Sequence, residues 1–438
     1  MSLITFNKKK VTLRINSDEL MKLRQHYDNY TDNYGKLIQR CVKDCILEQA
    51  FWLNSKRRRT AEKTRKLVSN NRKPHETIVE VRLEYAALDF INNYYFDDEN
   101  YTLIPCTTTA IRCCIADVCD DVSTHRELQF QDSIMYMMGQ KNPTMLKFLE
   151  ESFASVRAEH DIKGYTELFG GTANVLLHMD TTDVEYLNDN SNDLIGLLKT
   201  IKEYPYFFKL ALWQLELSRK SFKFAKEFIK TAKKTIKDNN LPTKSYSFKV
   251  EYYAYFFYMR YLSFMGTGHT FLDNKTLEAY RKHLDLINLL SERLVNVNIK
   301  KRDAVYFGEC LWKKFNIRNH IVYIDSPYLY SESYYKMNRK DKSTFDNHRG
   351  LRNLAEKLRD NGNYVFTSYR ITASETMKNK GTTSEKICKR LDELYCNRGF
   401  YYRLQPLPKK QIEILLSTVE LQPSTKYDKP LFKKEVIL

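Results

Sequence analysis

From about residue 130 onward, short apolar segments alternate with longer segments of helical periodicity. This alternation is typical of a parallel sheet with helices packed on its faces, because parallel strands need a crossover connection. The clearest strand is IVYI at residues 321–324, an unbroken apolar run that stops at Asp325. Such a run indicates a strand buried on both faces. The sequence therefore predicts an α/β fold for residues 129–438.

The charge of the chain limits its partners. The 438 residues include 71 Lys and Arg against 54 Asp and Glu, a net charge of +17. This excess favours polyanions, with nucleic acid as the first candidate and an anionic membrane surface as the second. No apolar run has the length of a membrane-spanning helix, the start has no signal-peptide pattern, and the nine cysteines form no CxxC pair. We therefore expect a cytoplasmic protein with no membrane segment and no metal site.

The first part of the chain contains one order of elements twice. Residues 1–53 contain the alternating strand VTLRI followed by two segments of helical periodicity, and residues 75–128 contain TIVEVRL followed by two more. A short strand cannot satisfy its own backbone groups, so we expect the two strands to pair antiparallel with the helices behind them. The side chains predicted to face outward are those of Thr12, Arg14, Glu80 and Arg82.

A two-stranded ribbon of this kind fits the major groove of DNA. The first unit resembles the ribbon-helix-helix DNA-binding domains, and the second repeats the pattern more weakly. The alternative is a small helical domain with two edge strands and no contact with DNA. The basic linker at 54–74 contains Arg57, Arg58 and Arg59. Next to DNA these arginines would bind phosphates without reading sequence, whereas elsewhere the linker would simply be solvated.

Polar or glycine-rich turns follow several of the later strands. The strand YTELF runs into Gly170 and Gly171, and glycines at a strand end let the backbone approach a ligand closely. Asp189 follows the next strand, where doubly wound folds bind a ribose, although it could equally cap a helix within NDNSND. Asp303 ends a further strand, and DSPY follows the strand at 321–324.

The order of these segments resembles that of the Dam-like adenine-N6 DNA methyltransferases, which use S-adenosylmethionine. The resemblance covers roughly residues 130–425 and rests on GQK (139–141), ELFGGT (167–172), NDNSNDLI (188–195), KKRDA (300–304), DSPY (325–328) and FDNHRGL (345–351). It implies a Rossmann-like methyltransferase sheet in residues 129–438. It also implies a helical target-recognition insert at 205–290.

The resemblance further implies which residues bind the cofactor. Tyr136, Gly139 and Lys141 would lie against its methionine part. Asp189 would bind the ribose hydroxyls, and Asp303 would lie beside the adenine ring of the cofactor. The turn expected to supply backbone contacts contains Glu167, Phe169, Gly170, Gly171 and Thr172.

Residues Asp325, Ser326, Pro327 and Tyr328 match the tetrad usually written DPPY, which receives an adenine flipped out of the duplex. The exocyclic amine of adenine is a poor nucleophile. The resemblance implies that the side chain of the acid and the next backbone carbonyl orient its two hydrogens, while the aromatic ring stacks on the base. The sequence thus predicts a DNA adenine-N6 methyltransferase that acts on double-stranded DNA.

Two departures from the family pattern leave an alternative open. Ser326 stands in place of the usual first proline, and Met265 stands where the family usually has asparagine. Both favour a non-catalytic DNA-binding regulator on a methyltransferase scaffold. An RNA methyltransferase would share the tetrad chemistry, but A-form RNA has a major groove that a ribbon cannot read. Monomer and homodimer both stay open.

Two further features also have two interpretations each. His348 in FDNHRGL could be a general base, but we expect it to cap a helix or contact phosphate. The segment KSFKFAKEFIKTAKKTIK at 220–237 predicts a helix with one apolar and one strongly basic face. That basic face could lie along phosphates or be solvated.

Overall fold

The computed structural model describes residues 3–27, 31, 33–48, 76–96, 107–119, 140–237, 245–329, 345–372, 383–408 and 410–431. Tyr136, Gly139 and the linker with Arg57, Arg58 and Arg59 lie outside these residues, as does the side chain of Met265. The chain divides into two compact units. The first unit comprises residues 1–127, 134–138 and 199–292, and the second comprises 128–133, 139–198 and 293–438.

The described part of the chain is a mixed α/β structure. Its strands are β1 (Lys8–Asn16), β2 (Glu76–Glu84), β3 (Gly164–Glu167), β4 (Val184–Asp189), β5 (Val297–Lys301), β6 (His320–Ile324), β7 (Tyr364–Thr372), β8 (Tyr401–Leu407), β9 (Gln411–Ser417) and β10 (Thr425–Lys426). Its helices are α1 (Ser17–His26), α2 (Tyr34–Glu48), α3 (Tyr85–Phe96), α4 (Thr107–Cys119), α5 (Pro143–Glu159), α6 (Asn192–Glu203), α7 (Pro205–Trp213), α8 (Arg219–Lys237), α9 (Tyr246–Tyr261), α10 (Leu277–Leu284), α11 (Leu286–Leu294), α12 (Ala304–Lys313), α13 (Phe345–Asp360) and α14 (Thr383–Tyr395).

The first unit contains a two-stranded antiparallel ribbon. Strand β1 pairs with β2 so that Thr12 lies opposite Glu80 and Arg14 lies opposite Ile78. The alternating pattern buries one face of the ribbon on helices α2 and α4, while Thr12, Arg14, Glu80 and Arg82 are exposed. The pairing and the outward positions are those predicted from the sequence, and contact with DNA stays a prediction.

The helices that follow residue 204 share the core of this ribbon unit. Tyr206 and Leu210 on α7 belong to the same buried cluster as Leu13 on β1 and Phe90 on α3. The Tyr206 hydroxyl also donates to Oε2 of Glu84 at 2.9 Å. The segment expected as a target-recognition insert is therefore packed together with the N-terminal region.

One buried ammonium group joins these two parts. Nζ of Lys209 on α7 donates to the carbonyl of Ile46 on α2 at 2.9 Å and lies 3.5 Å from Oδ1 of Asp285. It also lies 5.3 Å from the ring centroid of Phe90 on α3. Burial lowers the pKa of Lys209, and the Asp285 carboxylate opposes this shift. The N-terminal helices and the insert are thus linked through one cation inside their shared core.

The second unit is built on an eight-stranded, largely parallel sheet with the strand order β10-β8-β9-β7-β6-β3-β4-β5. Strands β3 to β7 run parallel, and β8, β9 and β10 join antiparallel. From β3 the chain adds β4 and β5 on one side, and β6 and β7 lie on the other side. The strand order therefore reverses between β3 and β6. In open α/β sheets, ligands bind at the carboxyl ends of the strands at such a switch point.

His348 is part of the core of the second unit. It begins the second turn of α13, is 2% exposed, and lies with Nδ1 3.1 Å from the hydroxyl of Tyr369. Tyr369 in turn contacts the hydroxyl of Tyr395 at 3.0 Å. Burial lowers the pKa of His348 to about 4, so its ring is neutral at physiological pH. The expected cap or phosphate contact was therefore wrong, because the ring points into the core.

We expect Lys209→Met to destabilise the protein by about 3–5 kcal/mol, because it removes the buried cation beside Asp285. The double variant Lys209→Met/Asp285→Leu should recover most of that loss, since an apolar pair buries no charge. Urea unfolding followed by tryptophan fluorescence, to which Trp213 of the same unit contributes, measures both changes. Equal destabilisation of the single and the double variant would contradict the role assigned to the ion pair.

Candidate active site

The predicted site residues of the second unit lie at one edge of the sheet. The turn 168–172 follows β3, Asp189 ends β4, Asp303 follows β5, and the tetrad 325–328 follows β6. Because these strands run parallel, their carboxyl ends meet on the same side of the sheet. The tetrad and the glycine turn follow the two strands that flank the switch point.

The glycine turn is fastened to the end of β4. The backbone N–H of Gly171 donates to Oδ2 of Asp189 at 3.0 Å, and the N–H of Ser191 donates to Oδ1 at 2.7 Å. A Cβ atom on Gly170 would lie 2.3 Å from Leu187, so packing on β4 requires glycine there. Gly171 has a φ of +53°, and a Cβ built on it meets no atom of the described residues within 4 Å. The turn therefore has open space beside it, as a close ligand would need.

Asn188 is a structural residue of the site that sequence reasoning missed. Its fully buried side chain donates through Nδ2 to the carbonyls of Leu168 and Arg302, both at 3.0 Å. It thus joins the residues that follow β3 and β5 to β4. Within the described residues its Oδ1 atom has no hydrogen-bond partner. The sequence feature that could have identified Asn188 is its position next to Asp189 in NDNSND.

The side chains of the other predicted cofactor residues face protein atoms. The Glu167 carboxyl group is buried and accepts a hydrogen bond from the Tyr165 hydroxyl at 2.9 Å. Burial raises the pKa of Glu167 to about 8. Phe169 packs against the core, and Thr172 is buried. Any contact of this turn with a ligand would therefore be made mainly by its backbone.

Asp303 caps a helix. Its Oδ1 atom accepts a hydrogen bond from the N–H of Tyr306 at 2.9 Å, so it begins α12. The residue is exposed. Capping does not use all the lone pairs of a carboxylate, and the predicted place beside the cofactor adenine stays a prediction.

Lys141 binds the tetrad. Its fully buried ammonium group lies 2.8 Å from Oδ1 of Asp325, 2.5 Å from the hydroxyl of Tyr328 and 2.7 Å from Oε1 of Glu413. The Tyr328 hydroxyl also donates to Oε1 of Glu413 at 2.9 Å. The sequence assigned Lys141 to the methionine side of the cofactor, whereas the structure brings its ammonium group to the acid and the aromatic ring of the tetrad.

A second cation completes this network. Nε of Arg370 on β7 lies 2.9 Å from Oε2 of Glu413, the residue opposite it on β9. Two cations thus face two carboxylates, and the charges balance. Glu413 and Arg370 were missed from the sequence. Glu413 could have been noticed as the one charged residue in the apolar strand QIEILLS.

The network controls the charge of its members. Burial raises the pKa of Asp325, and Lys141 opposes that rise. Burial would also raise the pKa of Glu413, but Lys141 and Arg370 outweigh it and hold this pKa below its usual range. Burial disfavours the charge on Lys141, yet Asp325 and Glu413 raise its pKa above the usual value. Lys141 is therefore a permanent cation beside the tetrad acid.

Ser326 has an unusual place within the tetrad. The residue is 3% exposed, and its hydroxyl has no hydrogen-bond partner among the described residues. Pro327 and Tyr328 are half-buried. The Tyr328 ring is fixed through its hydroxyl, and Nζ of Lys141 lies 5.1 Å from its centroid. The aromatic member of the tetrad is thus held in one orientation before any ligand binds.

These residues fit S-adenosylmethionine, the cofactor expected from the sequence. The open space at Gly171 admits a ligand close to the backbone. Each carboxylate oxygen of Asp189 accepts one backbone N–H, which leaves lone pairs for ribose hydroxyl donors. Within the described part of the chain no cluster of His, Cys, Asp or Glu could hold a metal ion, and no helix is long and apolar enough to cross a membrane.

Comparison with known protein families identifies the chain. Residues 138–397, more than half of its length, match the D12 class N6 adenine-specific DNA methyltransferases. No curated protein matches the chain. The matched range contains the glycine turn, Asp189, Asp303 and the tetrad, and it does not favour the non-catalytic alternative. The chain therefore belongs to the D12 class N6 adenine-specific DNA methyltransferases, enzymes that use S-adenosylmethionine to methylate adenine in DNA.

Proposed function

We propose that the tetrad Asp325–Tyr328 receives an adenine flipped out of duplex DNA, and that the turn 167–172 with Asp189 and Asp303 holds S-adenosylmethionine beside it. The observation that carries this proposal is the position of the tetrad and the glycine turn after the two strands at the switch point. The strand order β5-β4-β3-β6-β7 supports a Rossmann-like, doubly wound sheet. A DNA substrate also agrees with the cytoplasmic location expected from the sequence.

Asp325 is the first acceptor for the amine of the target base. Its Oδ1 atom is bound by Lys141, so Oδ2 is the oxygen that we assign to the N–H of adenine. An ionised carboxylate is the stronger acceptor, and Lys141 supplies the charge that opposes its neutralisation by burial. Lys141 is accordingly a positioning residue for Asp325.

The backbone carbonyl of Ser326 is the second acceptor. Two acceptors hold both hydrogens of the amine and pull the nitrogen towards the pyramidal shape that exposes its lone pair. Serine offers the same carbonyl as proline. It lacks the ring that fixes φ in proline, so we expect the chemistry to be retained and somewhat slower.

Tyr328 is the platform on which the flipped base stacks. Its hydroxyl is held by Lys141 and Glu413, so little rotational freedom is lost when the base arrives. When bound, S-adenosylmethionine supplies a methyl group on a positively charged sulfur. The residues of the chain therefore contribute orientation and exclusion of water rather than acid catalysis.

The N-terminal ribbon is proposed to read the major groove. Its outer face carries Thr12, Arg14, Glu80 and Arg82, and Nζ of Lys10 lies 2.6 Å from Glu80 across the strands. A two-stranded ribbon has the width of the groove, and its outward side chains can reach base edges. The target-recognition role proposed for residues 205–290 agrees with their packing in the same unit.

We expect Asp325→Ala to reduce methyl transfer by at least about 100-fold, the usual cost of losing one positioned polar group in an active site. Purified protein is incubated with labelled S-adenosylmethionine and a varied pool of unmethylated duplexes, and label in adenine is counted. Asp161→Ala, which removes an exposed acid of the same unit, serves as the control and should transfer normally. Absence of label with the wild-type protein, while DNA is still bound, would contradict the proposal.

We expect Lys141→Met to shift the pH dependence of transfer. Asp325 works in its ionised form, so activity is lost as the pH falls through its pKa. Removing the cation that opposes burial raises this pKa further, and the acid limb of the rate should move to higher pH. Other groups that act on this carboxylate or respond to it are Glu413, Arg370, Tyr323, Tyr328 and Glu167.

Single-turnover rates from acid to alkaline pH measure the position of this limb. Lys141→Arg keeps the charge and should leave the acid limb close to that of the wild type. An unchanged acid limb in Lys141→Met would rule out the electrostatic role of Lys141.

We expect Arg14→Ala to relax sequence recognition. A side chain that contacts a base edge contributes about 1–3 kcal/mol of discrimination, so the methylated sites in a random duplex pool should become degenerate at one position. Sequencing of methylated duplexes measures the change. Lys22→Ala, an exposed lysine on α1, is the control and should leave the recognised sequence intact. If both variants methylate the same sequence as the wild type, Arg14 does not read a base and the proposed role of the ribbon is contradicted.

A further inference from the structure

Helix α8 has a basic face that neither the active site nor the ribbon uses. The helix contains one acid, Glu227, among eight cations: Arg219, Lys220, Lys223, Lys226, Lys230, Lys233, Lys234 and Lys237. All of these cations except Lys237, whose side chain is not described, are exposed. The concentration of charge is much higher than in the chain as a whole, where 71 cations face 54 acids.

The opposite face of α8 fixes the helix in the first unit. Phe222, Ala225 and Ile229 are buried. The ring of Phe222 lies 5.5 Å from that of Phe271, and the ring of Phe228 lies 4.8 Å from that of Tyr255 on α9. This packing prevents rotation about the helix axis, so the basic face is held towards solvent.

Part of the charge is balanced within the protein, and part is not. Arg219 pairs with Asp273 at 2.5 Å, and Lys230 lies 3.7 Å from Glu227. Lys220, Lys223 and Lys234 form no ion pair with a described residue. From Lys220 to Lys234 the helix extends roughly 21 Å, a length over which duplex DNA presents several consecutive phosphates.

We propose that the basic face of α8 binds the phosphate backbone of the DNA substrate and does not read its sequence. Lysine is a flexible point charge that suits phosphate, and base-edge recognition needs groups of more defined geometry. The proposal rests on the DNA methyltransferase activity of the family and is independent of the role of the ribbon. It assigns α8 to affinity for DNA of any sequence.

A membrane surface is the other polyanion that a basic helix can bind. Amphipathic helices bind membranes by burying their apolar face among the lipids. In α8 that face is already occupied by the aromatic residues of α9 and of the segment around Phe271. The exposed face of α8 therefore offers a partner positive charge without an apolar surface. This favours the phosphate backbone of DNA over a membrane.

The test compares two triple variants that each remove three positive charges. The first is Lys220→Gln/Lys223→Gln/Lys234→Gln on α8, in which glutamine keeps a similar helix propensity. The matched control is Lys386→Gln/Lys426→Gln/Lys429→Gln, three exposed lysines of the second unit. Fluorescence anisotropy gives Kd for two duplexes of equal length and unrelated sequence over a range of KCl concentrations. No cofactor is added, so the result does not depend on methyl transfer.

The slope of log Kd against log salt reports the number of phosphates contacted, at about 0.9 per contact. We expect the α8 variant to lose up to about 2.7 from this slope, equally on both duplexes, and the control to keep the wild-type slope. An unchanged slope in the α8 variant, or equal losses in both variants, would overturn the proposal. So would loss of binding to phosphatidylserine vesicles by the α8 variant with no change in DNA binding.

Discussion

The buried ammonium group of Lys141 is the interaction on which the geometry of the candidate active site depends. It joins the segment before α5 to the end of β6 and to β9, three parts of the chain that are far apart in sequence. A lone carboxylate in this surrounding would be neutralised, because burying an unpaired charge is far more costly than a shift in pKa. Lys141 and Arg370 hold the pKa of Glu413 below its usual range, and Lys141 opposes the rise that burial causes in the pKa of Asp325. The charge on the tetrad acid is therefore favoured by Lys141, which precedes α5, and by Arg370 on β7, whereas Glu413 on β9 opposes it.

The sheet supplies the second constraint. Reversal of the strand order between β3 and β6 leaves a crevice where two connections leave in opposite directions. Asn188 and Asp189 each make two side-chain hydrogen bonds to backbone groups. One bond from each residue, to Leu168 and to Gly171, ties the segment after β3 to β4. These hydrogen bonds fix the conformation of the glycine turn, and the backbone at Gly171 stays accessible to a ligand.

The sequence predicts features that depend on local pattern. The parallel sheet follows from alternating strand and helix segments, and the ribbon follows from two matched strands. Lys141 and Glu413 lie 272 residues apart, and no periodicity encodes such a contact. The same holds for Lys209 and Ile46, which are 163 residues apart and join the insert to the N-terminal region. The burial of His348, by contrast, could have been predicted from the sequence. His348 lies at helical spacing from Leu351, Arg352 and Ala355, which are buried on the same side of the helix.

Ser326 shows how the fold can replace a covalent restraint. The usual proline at this position fixes its own φ, and serine does not. However, Pro327 follows directly, and a residue before proline is restricted to extended conformations by the proline ring. Ser326 is also buried, between strand β6 on one side and the anchored Tyr328 on the other. We therefore expect the carbonyl of residue 326 to be oriented by its neighbours in the chain and by packing, so that the loss of one proline slows the chemistry only somewhat.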